Sequence, residues 1–349
     1  MSQQLQNMAQ TIVMPGKGIL AADESTGTIK KRFDSIGAEC TEQTRRDYRE
    51  MLFRTTETFS HNISGIILFD ETIRQNAADG TPLVKLIQDA GAIPGIKVDT
   101  GAKALAGAPG EKVTEGLDGL RERLAAYYDM GARFAKWRAV IDIARGGHRR
   151  LPSAYCIKAN AHALARYAAL CQEAKLVPIV EPEVLMDGDH DIDRCCQVTE
   201  AVLNALFDEL YDQRVALEGI LLKPNMILSG KLCASQAGAH EVAEKTLQCF
   251  ARTVPAAMPG IIFLSGGQSD EQATAHLNAI NQVKSAAGPR YPWSLSFSYG
   301  RALQAAPLKA WGGNNNNIRS AQAAFAHRAR MNGLATKGQW APELENQAA

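Results

Sequence analysis

The stretch that decides the fold is residues 176–181, LVPIVE, a short apolar run that ends in a carboxylate. Continuous apolar runs of this length, bounded by Gly and Pro, are typical of strands buried on both faces of a sheet. Similar runs start roughly 30 to 45 residues apart along the chain. They are residues 18–23, 63–69, 93–98, 133–138, 217–223, 260–265 and 293–298.

The segments between these runs have helical periodicity. Apolar stripes at helical spacing start from Tyr48, Ile157 and Val202, and Ser269 followed by Gln272 is a capping-box signature. The first stripe extends to Phe59. Strands alternating with helices in this way predict an α/β fold, an eight-stranded parallel (β/α) TIM barrel. A doubly wound sheet is the alternative, but the GxGxxG turn that it often carries is absent here.

Composition sets limits on function and location. The net charge is +1, from 38 basic against 37 acidic residues, which argues against binding nucleic acid or acidic membranes through bulk charge. We expect no secretory signal and no membrane span, because no long apolar run occurs. The seven cysteines form no CxxC pair, which indicates a reduced, intracellular protein without a disulfide framework or Cys-rich metal site. We predict one domain over residues 1–339 and a loosely ordered tail over 340–349.

Active sites of such barrels lie at the carboxyl ends of the strands. Most of the apolar runs end in polar groups, whereas the run 63–69, before Asp70 and Glu71, is less informative. The groups at the first six ends are Asp23, Ser25, Thr28, Lys97, Lys136, Arg138, Glu181, Glu183 and Lys223, and those at the last two are Ser265, Gly266, Gly267, Ser298, Gly300 and Arg301.

Lysines gathered at one rim suggest Schiff-base chemistry. Mutual repulsion and burial both lower the pKa of an amine, which then attacks a carbonyl near neutral pH. Lys223 is the strongest candidate nucleophile because three apolar residues precede it, although spacing alone leaves Lys136 and Lys97 open. Carboxylates such as Asp23, Glu181 and Glu183 would then move the protons, and this chemistry needs no metal or cofactor.

Two groups of residues are suited to phosphate. Barrel enzymes often hold phosphate after strands seven and eight, where this chain has Ser265-Gly266-Gly267 and Gly300-Arg301. A second anion site across the mouth would use Ser25, Thr28, Arg32 and Lys97. Two such sites predict a bisphosphorylated substrate.

Metal and nucleotide sites find little support in the sequence. The acidic run 187–193 begins like a calcium loop, but Ile192 and Val198 stand where Gly and Glu are required, so a solvated loop before a helix is the better interpretation. The histidines show no HExxH pair, and no GxxxxGK[ST] loop is present.

Taken together, the chain resembles the class I (Schiff-base) fructose-1,6-bisphosphate aldolases. The matching segments follow the family's order: GKGILAADESTGT (16–28), GIKVDTG (95–101), FAKWRAV (134–140), VPIVEPEVL (177–185), DGDHDID (187–193), LLKPNMI (221–227), FLSGGQS (263–269) and SFSYGRALQ (296–304). The resemblance implies reversible cleavage of fructose 1,6-bisphosphate to dihydroxyacetone phosphate and glyceraldehyde 3-phosphate in a cytoplasmic homotetramer. Alternatives are a preference for a related sugar such as fructose 1-phosphate, or a non-catalytic binding protein on the same barrel.

The resemblance also implies a role for each site residue. Lys223 would form the Schiff base, Glu181 would transfer protons during carbinolamine dehydration, and Asp23 would handle the C4 hydroxyl proton. Lys136 would assist the early carbonyl steps beside Glu183. One phosphate would bind Ser265, Gly266, Gly300 and Arg301, and the other would lie near Ser25, Thr28, Lys97 and Arg138, with Arg32 close by.

The chain departs from the family's pattern in three places. Thr28 stands where many relatives have Ser but keeps the hydroxyl, and the segment 144–156 is a few residues longer than usual. Many animal relatives end in a Tyr that aids proton exchange on the enamine, whereas residues 346–349 are Asn, Gln, Ala and Ala. We expect aldol cleavage to survive and enamine protonation to be slower or to use another donor.

Overall fold

A closed barrel of eight parallel strands is the centre of this computed structural model, which describes residues 3–143 and 151–346. Around the barrel the strand order is β1-β10-β9-β8-β7-β6-β3-β2, and β4 and β5 form a separate antiparallel hairpin. The strands are β1 Gly18–Ala22, β2 Ile63–Leu68, β3 Ile93–Lys97, β4 Gly101–Ala104, β5 Lys112–Glu115, β6 Phe134–Ile141, β7 Val177–Val184, β8 Leu221–Leu222, β9 Gly260–Phe263 and β10 Ser294–Tyr299. The predicted TIM barrel is therefore confirmed.

Helices surround the barrel and also close its lower end. They are α1 Gln3–Ile12, α2 Thr26–Asp34, α3 Glu42–Phe53, α4 Thr56–His61, α5 Asp70–Ile73, α6 Leu83–Asp89, α7 Leu120–Asp129, α8 Ala154–Glu173, α9 Ile192–Asp212, α10 Ala239–Thr253, α11 Asp270–Ala286, α12 Arg301–Trp311 and α13 Ile318–Ala335. Short 3₁₀ segments occur at Leu217–Gly219, Gly288–Arg290, Asn315–Asn317 and Pro342–Asn346. None of the described helices is both long and apolar enough to cross a membrane.

The observed strands differ in length from the sequence prediction. The strands β6 and β7 run three residues beyond the predicted ends, so Glu183 lies within a strand. The predicted strand 217–223 contains only two strand residues, because Leu217–Gly219 forms a 3₁₀ turn and Pro224 lacks the N–H that would continue the ladder. The hairpin of β4 and β5 and the helix α1 were not predicted.

Helix ends follow local side-chain chemistry. Ser153, Asp191 and Ser269 each accept a hydrogen bond from a backbone N–H in the first turn of α8, α9 and α11. Residues 187–191 form the predicted loop before a helix, which begins at Ile192, although Gly188 and His190 of this loop are buried. The single stripe that began at Tyr48 is split into α3 and α4 at Arg54 and Thr55, where the Thr55 hydroxyl donates to the Met51 carbonyl at 3.4 Å.

Alternate strand residues fill the barrel interior, since successive side chains of a strand point to opposite faces. A buried cluster joins Ile67, Phe134, Ile179 and Leu221 with the apolar face of α1, which closes the lower end of the barrel. A Cβ on Gly95 would overlap the ring of Phe134, so the absence of a side chain at Gly95 allows this packing. The interior is therefore a packed core beneath the strand ends.

The predicted tail makes contacts with α13. The carboxylate of Glu345 accepts hydrogen bonds from Trp340 Nε1 at 2.8 Å and His327 Nε2 at 3.0 Å, and it forms an ion pair with the buried Arg328 of α13. The boundary at residue 339 and the loose order of the tail stay predictions. The departures at 144–150 and 347–349 lie outside the described residues.

Gly95→Ala should destabilise the fold. The added methyl group has no space beside Phe134, and overpacking of a core typically costs about 1–3 kcal/mol. Urea unfolding monitored by circular dichroism measures the change in the free energy of unfolding. Gly27→Ala is the matched control, because a Cβ there meets no atom within 4 Å, and it should be as stable as the wild type or slightly more so. A wild-type midpoint for Gly95→Ala would contradict this packing.

Candidate active site

The two-residue period of the strands brings the predicted catalytic groups into one ring. Lys136 follows Phe134 on the inner face of β6, and Glu181 follows Ile179 on the inner face of β7. Lys97 and Lys136 are register partners on neighbouring strands. Lys223 directly follows β8, and its backbone N–H bonds to the Val180 carbonyl at 2.8 Å. The same alternation that builds the core therefore directs these side chains into the mouth of the barrel.

A chain of ion pairs connects the central groups. Lys136 Nζ lies 2.8 Å from Asp23 Oδ2 and 3.2 Å from Glu181 Oε2. The other oxygen of Glu181 lies 3.3 Å from Lys223 Nζ. The side chains of Lys136, Glu181 and Lys223 are each at most 5% exposed. Glu181 thus bridges two buried amines, and a proton can pass between any neighbouring pair.

Opposite charges set the protonation states in this cluster. Burial opposes ionisation of Asp23, but Lys136 and Lys223 outweigh it and lower its pKa to about 2. Burial also opposes ionisation of Glu181, yet the same two amines hold its pKa below the ordinary value. For Lys136, burial lowers the pKa, but Asp23 and Glu181 raise it well above the ordinary lysine value.

The expected lowering of lysine pKa values by crowding is therefore wrong for Lys136. The carboxylates are closer to this amine than the other lysines, so attraction dominates over burial and repulsion. Lys136 is a resident ammonium group. Lys223 has a single carboxylate neighbour, Glu181, among the ion pairs of the described residues.

Asp99 is a site residue that the sequence reasoning missed. It is 8% exposed and lies 2.7 Å from Lys97 Nζ, and its other oxygen accepts a hydrogen bond from the Arg138 backbone at 3.3 Å. Asp99 therefore fixes Lys97 against β6. Its position two residues after Lys97 at a strand end was the available signal.

Glu183 pairs with Arg138 across the β6–β7 contact, one pleat above Glu181. Burial opposes ionisation of the guanidinium, but Glu183 and Glu181 raise the pKa of Arg138. Arg138 therefore keeps its charge at the rim, where its side chain is 42% exposed. Among the ion pairs of the described residues, Glu183 pairs with Arg138 and with neither Lys136 nor Lys223. Its direct effect is therefore on Arg138.

A tight turn follows β9 at the place where the sequence predicts the first anion site. Gly266 and Gly267 have φ values of +59° and +87°, a left-handed region that favours glycine. The backbone N–H of Gln268 bonds to the Ser265 carbonyl at 3.0 Å, and the side-chain amide of Gln268 reaches the same oxygen at 2.9 Å. The Oε1 atom of the same amide lies 2.5 Å from Nδ1 of buried His276. Sequence reasoning missed Gln268 and His276, whose support role becomes visible only in three dimensions.

The end of β10 lies beside this turn. Ser298 is 1% exposed, and its hydroxyl has no hydrogen-bond partner among the described residues. Gly300 directly precedes α12, whose first residue, Arg301, is exposed. A guanidinium nitrogen of Arg32 lies 3.5 Å from where a Cβ on Gly300 would be. Arg32 therefore lies next to the predicted anion site after β10, whereas the sequence pattern places it with Ser25, Thr28 and Lys97.

Buried Glu24, which the sequence reasoning also missed, holds Arg32 in place. Its carboxylate lies 2.5 Å from Arg32 Nη1 and accepts a hydrogen bond from Gln304 Nε2 at 2.7 Å. The hydroxyls of Ser25 and Thr28 lie 3.2 Å apart at the start of α2, the helix that also carries Arg32 and that follows β1, the neighbour of β10. Hydroxyls and free N–H groups at a helix N-terminus are suited to an anion.

One cavity of about 830 Å³ contains all the predicted site residues. The second strand also contributes to it, through Asp70 and Arg74, although its end was the least informative in the sequence. The predicted residues in its lining are Asp23, Ser25, Thr28, Arg32, Lys97, Lys136, Arg138, Glu181, Glu183, Lys223, Ser265, Gly266, Gly267, Ser298, Gly300 and Arg301. Two buried amines, bridged by a carboxylate and lying in one cavity with cationic and hydroxyl groups, are the arrangement expected of a carbon–carbon lyase that acts on a phosphorylated carbonyl compound.

Comparisons with known proteins agree with this class. The family model for class-I fructose-bisphosphate aldolases matches residues 4–349. The chain is 60% identical to “Probable fructose-bisphosphate aldolase class 1” of Xanthomonas campestris, covering 97% of this chain and 98% of that protein. It is 55% identical to “Fructose-bisphosphate aldolase 4, cytosolic” of Arabidopsis thaliana, over 95% and 82% of the two chains.

A solved structure gives the same result. The fructose-bisphosphate aldolase of Plasmodium falciparum, in complex with TRAP and a small-molecule inhibitor, superposes with a TM-score of 0.92 at 48% identity, covering 97% of this chain and 95% of that one. The chain belongs to the class-I fructose-bisphosphate aldolase family, and its reaction is the aldol cleavage of fructose 1,6-bisphosphate.

Asp23→Asn should flatten the acid limb of the stability curve. The pKa of Asp23 is lowered in the folded state, so its stabilisation is present above about pH 4 and is lost as pH falls toward 2. The lowering from 3.8 to about 2 corresponds to about 2 kcal/mol. Urea midpoints measured between pH 6 and pH 3 should fall less steeply in the variant than in the wild type. Asp208→Asn, on the exposed face of α9, is the control and should retain the wild-type slope. Identical slopes for Asp23→Asn and wild type would count against the ion-pair cluster.

Proposed function

We propose that cleavage proceeds through a Schiff base between Lys223 and the ketone carbon of the open-chain bisphosphate. The single observation that carries this assignment is the position of Lys223 Nζ, 3.3 Å from Glu181 in a buried cluster whose other amine, Lys136, is held as an ammonium. A carboxylate beside an amine can accept its proton and so produce the neutral nucleophile.

Glu181 then acts as the proton shuttle. As a carboxylate it accepts a proton from the Lys223 ammonium, and the neutral amine attacks the carbonyl carbon. The same carboxyl group returns a proton to the carbinolamine hydroxyl, which leaves as water while the C=N bond forms. Lys136, 3.2 Å from Glu181, stabilises the negative charge that develops on the carbonyl oxygen before it is protonated.

Asp23 completes the cleavage step. Its carboxylate, ionised down to about pH 2, accepts the proton of the C4 hydroxyl. The electrons of the C3–C4 bond move to the protonated imine, which becomes an enamine, and the aldehyde is released. Lys136, 2.8 Å from Asp23, keeps this carboxylate ionised and oriented until substrate arrives.

The two anion sites account for the substrate's charge. The turn at Ser265–Gln268, with Gly300 and Arg301, would hold the phosphate next to the ketone, and Arg32 lies within reach of it. Ser25, Thr28, Lys97 and Arg138 would hold the other phosphate. A cavity with cationic and hydroxyl groups at both sides favours a bisphosphate over fructose 1-phosphate, and the relative turnover of the two sugars tests this preference.

Location and assembly are also proposals. The Arabidopsis relative named cytosolic supports a cytoplasmic location. A homotetramer rests on family resemblance, and sedimentation at micromolar concentration would test it. A non-catalytic role on this barrel is disfavoured because all the expected catalytic side chains are present and line one cavity.

Trapping of the imine tests the nucleophile. Borohydride added with fructose 1,6-bisphosphate should inactivate the enzyme and leave a mass adduct on the peptide that contains Lys223. Lys223→Met should give no adduct and lose nearly all activity. Lys103→Met, in the exposed hairpin, is the control and should label like the wild type. An adduct on Lys136 or Lys97, or activity abolished by a metal chelator, would overturn the proposed mechanism.

Glu181→Gln tests the shuttle. The amide keeps the shape but cannot carry the proton, so kcat should fall by about 10² to 10⁴ while KM changes little. Steady-state cleavage assays measure both constants, and exposed Glu57→Gln serves as the control. A higher KM with unchanged kcat would show that Glu181 binds substrate rather than moving protons.

A further inference from the structure

A pair of thiols behind the site has no part in the mechanism above. Cys196 lies on α9 and Cys249 on α10, and the two are 8% and 0% exposed. Their sulfur atoms and a carboxylate oxygen of Glu200 all lie within 4.8 Å of one another. Two cysteines on adjacent helices thus face the same small volume.

Charged side chains surround this pair of thiols. The Cys196 thiol donates to Glu200 Oε1 at 3.6 Å, and the same oxygen accepts from Arg252 Nη1 at 2.8 Å. The cation of Lys245, paired with Asp193 at 2.5 Å, also acts on Cys196. Glu200 is positioned to accept the Cys196 proton. Its negative charge raises the pKa of this thiol, whereas the Lys245 cation lowers it and stabilises the thiolate.

The two thiols differ in acidity. A hydrogen bond from Cys249 lowers the pKa of the Cys196 thiol, whereas this hydrogen bond and burial raise the pKa of Cys249. Adjacent Cys195 has another environment, since burial raises its pKa to about 11 and its sulfur accepts from the Leu228 backbone at 3.5 Å. Cys196 is also the more accessible of the two thiols, 8% exposed against 0% for Cys249, and its sulfur lies 3.6 Å from the Glu200 carboxylate. Cys196 is therefore the thiol that an oxidant reaches first.

A soft metal ion is a poorer occupant of this volume. The structure offers it two sulfurs and one carboxylate in the described part of the chain, and Arg252 already holds that carboxylate. Zinc sites of structural type usually have four ligands without a competing cation.

From the juxtaposition of Cys196, Cys249 and Glu200 we propose that Cys196 and Cys249 form a reversible disulfide that links α9 to α10 when a hydroperoxide is the oxidant. The Cys196 thiolate attacks a peroxide oxygen, the O–O bond breaks, and protonation of the leaving oxygen gives water or an alcohol. The Cys249 sulfur then attacks the resulting sulfenic acid, whose hydroxyl leaves as water with the Cys249 proton. Two thiols are oxidised by two electrons and one hydroperoxide is reduced.

The link would lie one helical turn from contacts that hold the Lys223 segment. Thr199, three residues after Cys196, accepts from Asn225 Nδ2 at 3.2 Å. Thr246, three residues before Cys249, accepts from the Ile227 backbone at 3.0 Å. Oxidation of the pair would therefore strain or shift α9 and α10 next to the loop that follows Lys223.

Mass spectrometry of the full-length enzyme tests the proposal. After hydrogen peroxide treatment and alkylation of the remaining thiols, a digest should contain one peptide pair joined through Cys196 and Cys249, and dithiothreitol should release it. Cys196→Ser and Cys249→Ser should each lose this product, whereas Cys195→Ser, the adjacent control, should keep it. Circular dichroism of the reduced variants checks that each one is folded.

Two results would overturn the proposal. One is the absence of the cross-linked pair under conditions in which half-buried Cys40 and Cys233 are oxidised. The other is one equivalent of Zn²⁺ retained after desalting that protects both thiols from alkylation in the wild type but not in Cys249→Ser, which would identify a metal site instead.

Discussion

The ammonium of Lys136, held between the carboxylates of Asp23 and Glu181, is the interaction on which the rest of the site depends. Three charged groups are buried in the mouth of an otherwise apolar barrel, which is costly unless each has a partner. Each carboxylate offsets the burial of an amine, and each amine keeps a carboxylate ionised. Removal of one member leaves an uncompensated charge, so the cluster is a structural unit as well as a catalytic one.

The barrel makes this arrangement possible by its register. Lys97 and Lys136 are paired on β3 and β6, and Arg138 is paired with Glu181 on β6 and β7. Two like charges side by side would repel each other, but Asp99 pairs with Lys97, and Asp23 and Glu181 pair with Lys136. Acidic side chains thus lie between the basic ones around the ring.

The sequence was sufficient for the barrel and for the residues of its mouth, because buried parallel strands are nearly continuous apolar runs that end at one rim. It was insufficient where three-dimensional contacts decide the outcome. The shortness of β8 follows from Pro224 and a 3₁₀ turn, and the role of Glu24 depends on Arg32 and Gln304 arriving from distant parts of the chain. The pKa of Lys136 is raised, contrary to expectation, because its nearest neighbours are carboxylates, and periodicity carries no information on distance.

The packed lower half of the barrel has a kinetic consequence. Phe134, Ile179 and Leu221 fill the interior, and the apolar face of α1 packs against them at the opposite end, so the described residues leave no passage through the barrel. Substrate, water and both products would therefore reach and leave the cavity from the side of the strand ends. In the proposed mechanism the ketone fragment is still bonded to Lys223 when the carbon–carbon bond breaks, whereas the aldehyde is free. The aldehyde would then leave first, and the covalently held ketone would follow only after a water molecule has entered by the same route and hydrolysed the imine.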